Sequence, residues 1–299
     1  MEKLIPNTNR ENVAHEEVFK SDHEKIVMLQ AYEKAQEILE KESIKPEQFE
    51  DTYSEKLLTK CATYVANCES LFEQSNESNP TWMRAEIFGK TLEGLLHNQI
   101  NNGVFGEDVR GVSTAKYDDI YAGIDQVIER RNEEGASYVG CALDATFGSP
   151  EKKIDDIHNG IKAGVLNDVI FYDSPFGDPP YIHGKLQGIP KMVIGMDSQH
   201  LTQLSELWVI NDQESLAKNQ LFLMLLRQIE QQAEVYEILA TRAHKPNIAD
   251  RYRQVGNSIS KLYNEQKIEK GVDMLDSETL QDSVNQAIIK QLHELLNPK

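Results

Sequence analysis

Apolar residues recur at helical spacing over three stretches before about residue 101 and again from Leu201 onward, while the segment between them breaks into runs of strand length. Residues 13 to 42 contain neither Gly nor Pro. They carry Val18, Ile26, Leu29, Ala31, Ala35, Ile38 and Leu39 at spacings of three, four and seven or eight, which predicts an amphipathic helix with a break near Ser21 and Asp22. A second helix is expected over "SEKLLTKCATYVANCESLFEQS", where Leu57, Cys61, Tyr64, Cys68 and Leu71 share one face, so the two cysteines seven apart read as core positions. After the polar "NESNP", Pro80 is placed to start a third, "TWMRAEIFGKTLEGLLHNQI".

The middle of the chain predicts strands at "YAGIDQVIER", "ASYVGCALDATF", "DVIFYD" and "IPKMVIGMD". Between the second and third, "PEKKIDDIHNGIKAG" has helical spacing through Ile154, Ile157 and Ile161 and a stop at Gly164. Such a crossover helix brings residues 169–172 alongside an earlier strand, giving an α/β or α+β class. "SPFGDPPYIHG", at 174 to 184, reads as a connecting loop, and Asp197 as the cap of the next helix. The strongest later helix is "LAKNQLFLMLLRQIEQQAEVYEILATRAH", ending near Pro246. Two weaker ones follow, the last "ETLQDSVNQAIIKQLHELL". The expected division is a helical segment over 1–80, an α/β core over 81–210 and a helical region over 211–299.

With 39% hydrophobic residues the chain can bury a sizeable core, but 49 acidic against 31 basic residues leave it at −18. That balance disfavours sequence-independent attraction to phosphates, which depends on Lys and Arg releasing counterions. Three cysteines without a CxxC pair indicate neither a zinc ribbon nor a disulfide framework. With no basic-then-apolar leader and no membrane-length apolar run, a cytoplasmic protein without a membrane partner is the expectation.

Two carboxylates stand out. Asp125 in "GIDQVI" and Asp144 in "CALDATF" each interrupt an apolar strand run, and alternation places Asp144 with Tyr138, Gly140 and Ala142, opposite Val139, Cys141 and Leu143. Either aspartate can end its strand and solvate itself at a turn. If buried, each costs several kcal/mol without a partner, and two on adjacent strands repel unless a divalent cation lies between them. Hard oxygen ligands suit Mg2+, and a metal-activated water implies cleavage of phosphate esters. In the preceding helix Gly89 lies one turn before Glu93, a spacing that allows close packing on a sheet with Glu93 pointing along it, though a solvated Glu93 fits as well. His97, His158 and His183 lack a metal-ligand spacing, and neither a phosphate loop nor a GxGxxG turn is present.

"GKTLE", "GID" and "LDAT", followed by a helix and "DVIFY", resemble the restriction-endonuclease-like, or PD-(D/E)XK, phosphodiesterase superfamily across roughly residues 84 to 172. Its core runs helix, strand, strand, strand, helix, strand, and "DDIYAGID" resembles its first hairpin. The resemblance implies a central mixed sheet flanked by helices, with the N- and C-terminal helices as extensions. It implies that Glu93 assists the metal-bound water, and that Asp125, Asp144 and the Ala145 carbonyl bind Mg2+ or Mn2+. Where the superfamily has lysine two residues after the acid, this chain has Thr146. Members relocate that lysine to the following helix, which nominates Lys153 first and Lys152 second, although "EKKIDDIHNGIK" also reads as an ordinary charged helix face with Lys152 and Asp156 paired.

The expected function is metal-dependent hydrolysis of DNA or RNA, with Arg84, Lys90, Lys116, Arg130 and Arg131 forming a local basic patch. Asp118 and Asp119 are candidates for a second ion or a turn cap, and Glu129 for a neighbour of Asp125. The alternative is a catalytically inactive nuclease-like fold acting as a binding or assembly module, with a protein partner on its acidic helical extensions.

Overall fold

The structure, a computed structural model, describes residues 19–76, 80–131, 137–176 and 181–297. The expected start of the first helix at 13–18 and the centre of the 174–184 loop lie outside the described residues, as do the side chains of Tyr138 and Val139. Helix α1 (Asp22–Glu42) begins where the Ser21 hydroxyl accepts the Glu24 amide, so the break expected near Ser21 is a helix cap. A 3₁₀ turn at Pro46–Phe49 leads to α2 (Glu55–Asn76), and α3 (Pro80–Asn101) follows. Helices α1 and α3 approach closely at Gly94, where a Cβ would lie 2.5 Å from the Ala35 Cβ. On α2 the expected core face is corrected: Cys61 is buried, Cys68 half-buried, and Tyr64 and Leu71 are exposed. The stripe is real: Leu57 and Cys61 pack on the smaller core, while Tyr64 and Leu71 face away from it.

Strands β1 (Val109–Ser113), β2 (Gln126–Arg131) and β3 (Ser137–Thr146) form an antiparallel meander, and β6 (Lys191–Gly195) joins β3 in parallel to give a mixed four-stranded sheet. The first half of "YAGIDQVIER" is not strand and "DDIYAGID" is not a hairpin. Lys116–Ala122 is a short helix, α4, stopped by Gly123 at φ 61°, whose amide bonds the Asp119 carbonyl. A left-handed glycine at this position ends helices without the steric penalty other residues carry. Strand β1 escaped the pattern reading because Arg110 and Gly111 interrupt alternation within only five residues.

Helix α5 (Glu151–Ala163) is the expected crossover, yet its return strand is β6 rather than "DVIFY". β4 (Asn167–Asp173) pairs instead with β5 (His183–Ile189) in a separate hairpin. The reason lies in Asp118 of α4: its carboxylate accepts the Ile170 amide at 2.7 Å and the Phe171 amide at 3.0 Å, at a register irregularity between Val169 and Tyr172. Thus Asp118 is a tie between α4 and the hairpin.

Asp197 caps α6 (Ser198–Val209) as expected. Beyond it lie α7 (Gln213–Lys218), α8 (Leu221–Arg242), α9 (Pro246–Lys270), α10 (Ser277–Leu280) and α11 (Ser283–Leu296). Helix α8 covers the free edge of β6 with side-chain amides. Gln232 bonds both the amide and the carbonyl of Val193 (2.9 and 2.6 Å), and Gln228 does the same for Gly195 (3.0 and 2.9 Å). The exposed ladder that an edge strand would offer another chain is thereby satisfied.

The larger core runs from Met28 and Leu95 through Cys141, Leu143 and Val193 to Leu225 and Ile288, so it draws on all three expected segments. A smaller one, under the β4–β5 hairpin, holds Phe49, Cys61, Val127, Ala142 and Phe171. The alternation expected for β3 is visible in this split, with Ala142 facing one core and Cys141 and Leu143 the other. Among the described residues no helix is long and apolar enough to cross a membrane.

Candidate active site

Asp125 sits at the entrance of β2 rather than within it. Its backbone is fixed on both sides: the Asp125 amide bonds the Leu143 carbonyl at 2.9 Å, and its carbonyl accepts the Thr114 amide at 3.1 Å. Its carboxylate accepts the Ala145 amide at 2.6 Å. Burial, and then the carboxylates of Asp119, Glu93 and Asp144, push its pKa well above the usual value, with Lys153 pulling the other way.

Asp144 is buried and bound by two ammonium groups. Oδ2 lies 2.8 Å from Lys191 Nζ, and Oδ1 pairs with Lys153, which also donates to the Ala145 carbonyl at 2.8 Å. Lys191 completes its three donors on the carbonyls of Ala122 (3.1 Å) and Gly123 (3.0 Å), which tie the α4–β2 loop to β6. Gly123 is required twice here: by its positive φ, and because a Cβ would lie 2.9 Å from Lys191 Nζ and 3.3 Å from Asp144 Oδ2. Lys153, nominated first from the sequence, therefore reaches the acid. Lys152, nominated second, is exposed.

Glu93, Asp119, Asp125 and Ala145 line one cleft of about 560 Å³ together with Lys90, Glu86 and Trp82. Asp144, Lys153 and Lys191 line a second, of about 370 Å³, beside Tyr121. Helix α4 contributes to both, and the Gly123 turn to the second. Glu93 pairs with Lys90 at 2.7 Å. Its pKa is pushed up to about 7 by burial and by Asp119 and Glu86, against the pull of Lys90. Burial works against the Lys90 ammonium, but Glu93 and Asp119 outweigh it and hold its pKa above the usual lysine value.

Several expected neighbours are placed elsewhere. Glu129 follows a bulge at Ile128/Glu129 and accepts hydrogen bonds from the Tyr172 and Ser174 hydroxyls, so it belongs to the hairpin side rather than to Asp125. The expected basic patch is dispersed: Arg84 pairs with Glu24, Lys116 with Glu69, and Arg130 with Asp108 and Glu265, while Arg131 lies over the Phe176 ring. Of the five, Lys90 and Lys116 line the Asp125 cleft.

Glu93, Asp125 and Asp144 do not close into one cage. Among the described residues, the set of three carboxylate, imidazole or thiol ligand atoms within 4.8 Å of one another is Asp197, His200 and Asp282. There His200 Nδ1 lies 2.8 Å from Asp282 and 3.2 Å from Asp197, and both carboxylates also accept backbone amides at the N-termini of α6 and α11. Hydrogen bonds to the two aspartates raise the His200 pKa to about 10, so an imidazolium fastens the two caps. Sequence reading missed this joint and Lys191 alike, because the partners lie 82 and 47 residues away.

Comparison of the chain with protein-family models, with curated proteins and with solved structures gives no match.

Proposed function

We propose that the chain is a metal-dependent phosphodiesterase acting on DNA or RNA, built on a restriction-endonuclease-like core. The order α3, β1, β2, β3, α5, β6, with β6 parallel to β3, supports the superfamily's helix, three strands, helix, strand. The observation that carries the proposal is Lys153: a lysine on the helix after β3 reaches the β3 acid and the next carbonyl, where the missing motif lysine would act.

The residues fit a divalent ion. Asp125, Asp144 and the Ala145 carbonyl are hard oxygen donors, and a cation, the Lys153 ammonium, already bridges two of them. Mg2+ or Mn2+ held there supplies an acidified water and neutralises phosphate charge. Glu93, poised at about 7, accepts a proton near neutral pH. Lys153 stabilises charge that develops on the attacked phosphate, and Lys191 fixes Asp144 without leaving its carbonyl partners.

A binding module without catalysis is the second reading, favoured by Thr146 and by the saturation of Asp144 with two lysines. End-labelled single- and double-stranded DNA and RNA, incubated with Mg2+ or Mn2+, separate the two. Hydrolysis is expected with metal, abolished by Asp144→Asn and reduced roughly 100- to 1,000-fold by Lys153→Met. No cleavage of any substrate leaves the module.

A further inference from the structure

Of the five exposed aromatic side chains among the described residues, three line the two clefts, Phe72, Trp82 and Tyr121, and a fourth, Tyr64, packs against Tyr121. Trp82 and Phe72 line the cleft of Glu93 and Asp125, and Tyr121 lines that of Asp144, Lys153 and Lys191. Tyr121, the most exposed of the four rings at 64%, lies two residues before Gly123 and stacks on Tyr117 at 5.3 Å and 10°. Tyr64 of α2 meets both tyrosines edge-on, which holds the Tyr121 ring in place at the cleft mouth.

Exposed rings concentrated at one site contrast with the cations there. Lys90, Lys116, Lys153 and Lys191 are each paired with a carboxylate, and the chain carries −18 overall. A duplex presents phosphates outward and hides its bases in the stack, so its binding needs free cations. An unpaired strand presents base faces as well, and these stack on aromatic side chains with little dependence on sequence. We infer that the substrate is a single strand, or an unpaired end, engaged through its bases on Tyr121 at one cleft and Trp82 at the other. The inference rests on the phosphodiesterase assignment and restricts its substrate.

The test is fluorescence anisotropy with a labelled 15-nucleotide strand and the matching blunt duplex, in a chelator so that nothing is cleaved. The strand binds and the duplex binds at least tenfold more weakly. Tyr121→Ala and Trp82→Ala each weaken strand binding roughly 5- to 100-fold, while Tyr121→Phe and Trp82→Phe keep it. Raising salt from 50 to 200 mM changes the affinity by less than about tenfold, where a binder with six to ten phosphate contacts loses roughly a thousandfold or more. Equal binding of duplex, a steep salt dependence, or ring variants that bind like wild type overturn the inference; in the last case the aromatic surface serves another partner, such as a protein. Efficient cleavage of duplex overturns it while leaving the phosphodiesterase assignment standing. Failure of every nucleic acid to bind or be cleaved removes both.

Discussion

Replacing Lys191 by Met removes the fixed cation from Asp144 while keeping the length of the side chain. The lysine is 11% and the aspartate 6% exposed, so the pair lies under little solvent screening. Removing one partner of a buried pair costs about 3–5 kcal/mol. Two carbonyls, Ala122 and Gly123, also lose their donor. Asp144 keeps Lys153, which offsets part of this, and the expected loss is about 2–4 kcal/mol. A double-mutant cycle with Asp144→Asn isolates the pair: the double variant should be about 1.5–3 kcal/mol more stable than the two single losses sum to. Urea unfolding at pH 7, followed by far-ultraviolet circular dichroism with m held constant, reads this directly. A single-variant loss below 1 kcal/mol, or a coupling near zero, would show that the two charges are solvated separately and that Lys191 does not organise the site.

Gln232→Leu keeps the volume near β6 but strips both backbone groups of Val193 of their partner, and urea unfolding should show a loss of about 2–5 kcal/mol. An unchanged midpoint would mean that water reaches that edge. His200 has a pKa near 10 when folded against an ordinary 6.5, so its contribution is complete below pH 6.5 and lost as pH rises toward 10. Wild-type stability should fall by roughly 3–5 kcal/mol over that window, and the His200→Asn variant should lack that decline; equal slopes would contradict the imidazolium joint. Glu93 keeps its proton in the folded state to about pH 7 against an ordinary 4.5, so its ionisation lowers stability as pH rises between those values. Glu93→Gln should remove about 3 kcal/mol of that fall, measured as the difference between the two stability curves; superimposable curves would show an ordinary carboxylate.

Legibility in the sequence followed the range of each interaction. Helices α1, α3, α5 and α8 and strands β3 and β6 carry their periodicity within themselves, and the chain declares them. Lys153 was legible because the resemblance places a relocated lysine on the helix after the strand of Asp144, and that helix begins five residues beyond the end of β3. Strand β1 was not, since its five residues include Arg110 and Gly111 and gain their place by pairing with β2. The segment Lys116–Ala122 read as strand because Tyr, Ile and Tyr also suit a sheet, and only Gly123 marked a helix stop. The fourth strand was misassigned because apolar "DVIFY" suits either sheet; what decides is Asp118 taking the Ile170 and Phe171 amides, a contact across 52 and 53 residues. Lys191 lies within "IPKMVIG", where the pattern marks only a strand. Its role depends on two carbonyls and a carboxylate from other elements, which periodicity cannot bring together.

The most direct measurement is calorimetric titration of Mn2+ into the wild type, Asp144→Asn and Lys153→Met. Asp144 Oδ1 and the Ala145 carbonyl are donors that ion and ammonium would share, so wild type should bind one ion, Asp144→Asn should lose it, and Lys153→Met should bind at least tenfold more tightly. No heat of binding in the wild type or in Lys153→Met would contradict a metal site at Asp125 and Asp144, and with it metal-dependent phosphodiester hydrolysis.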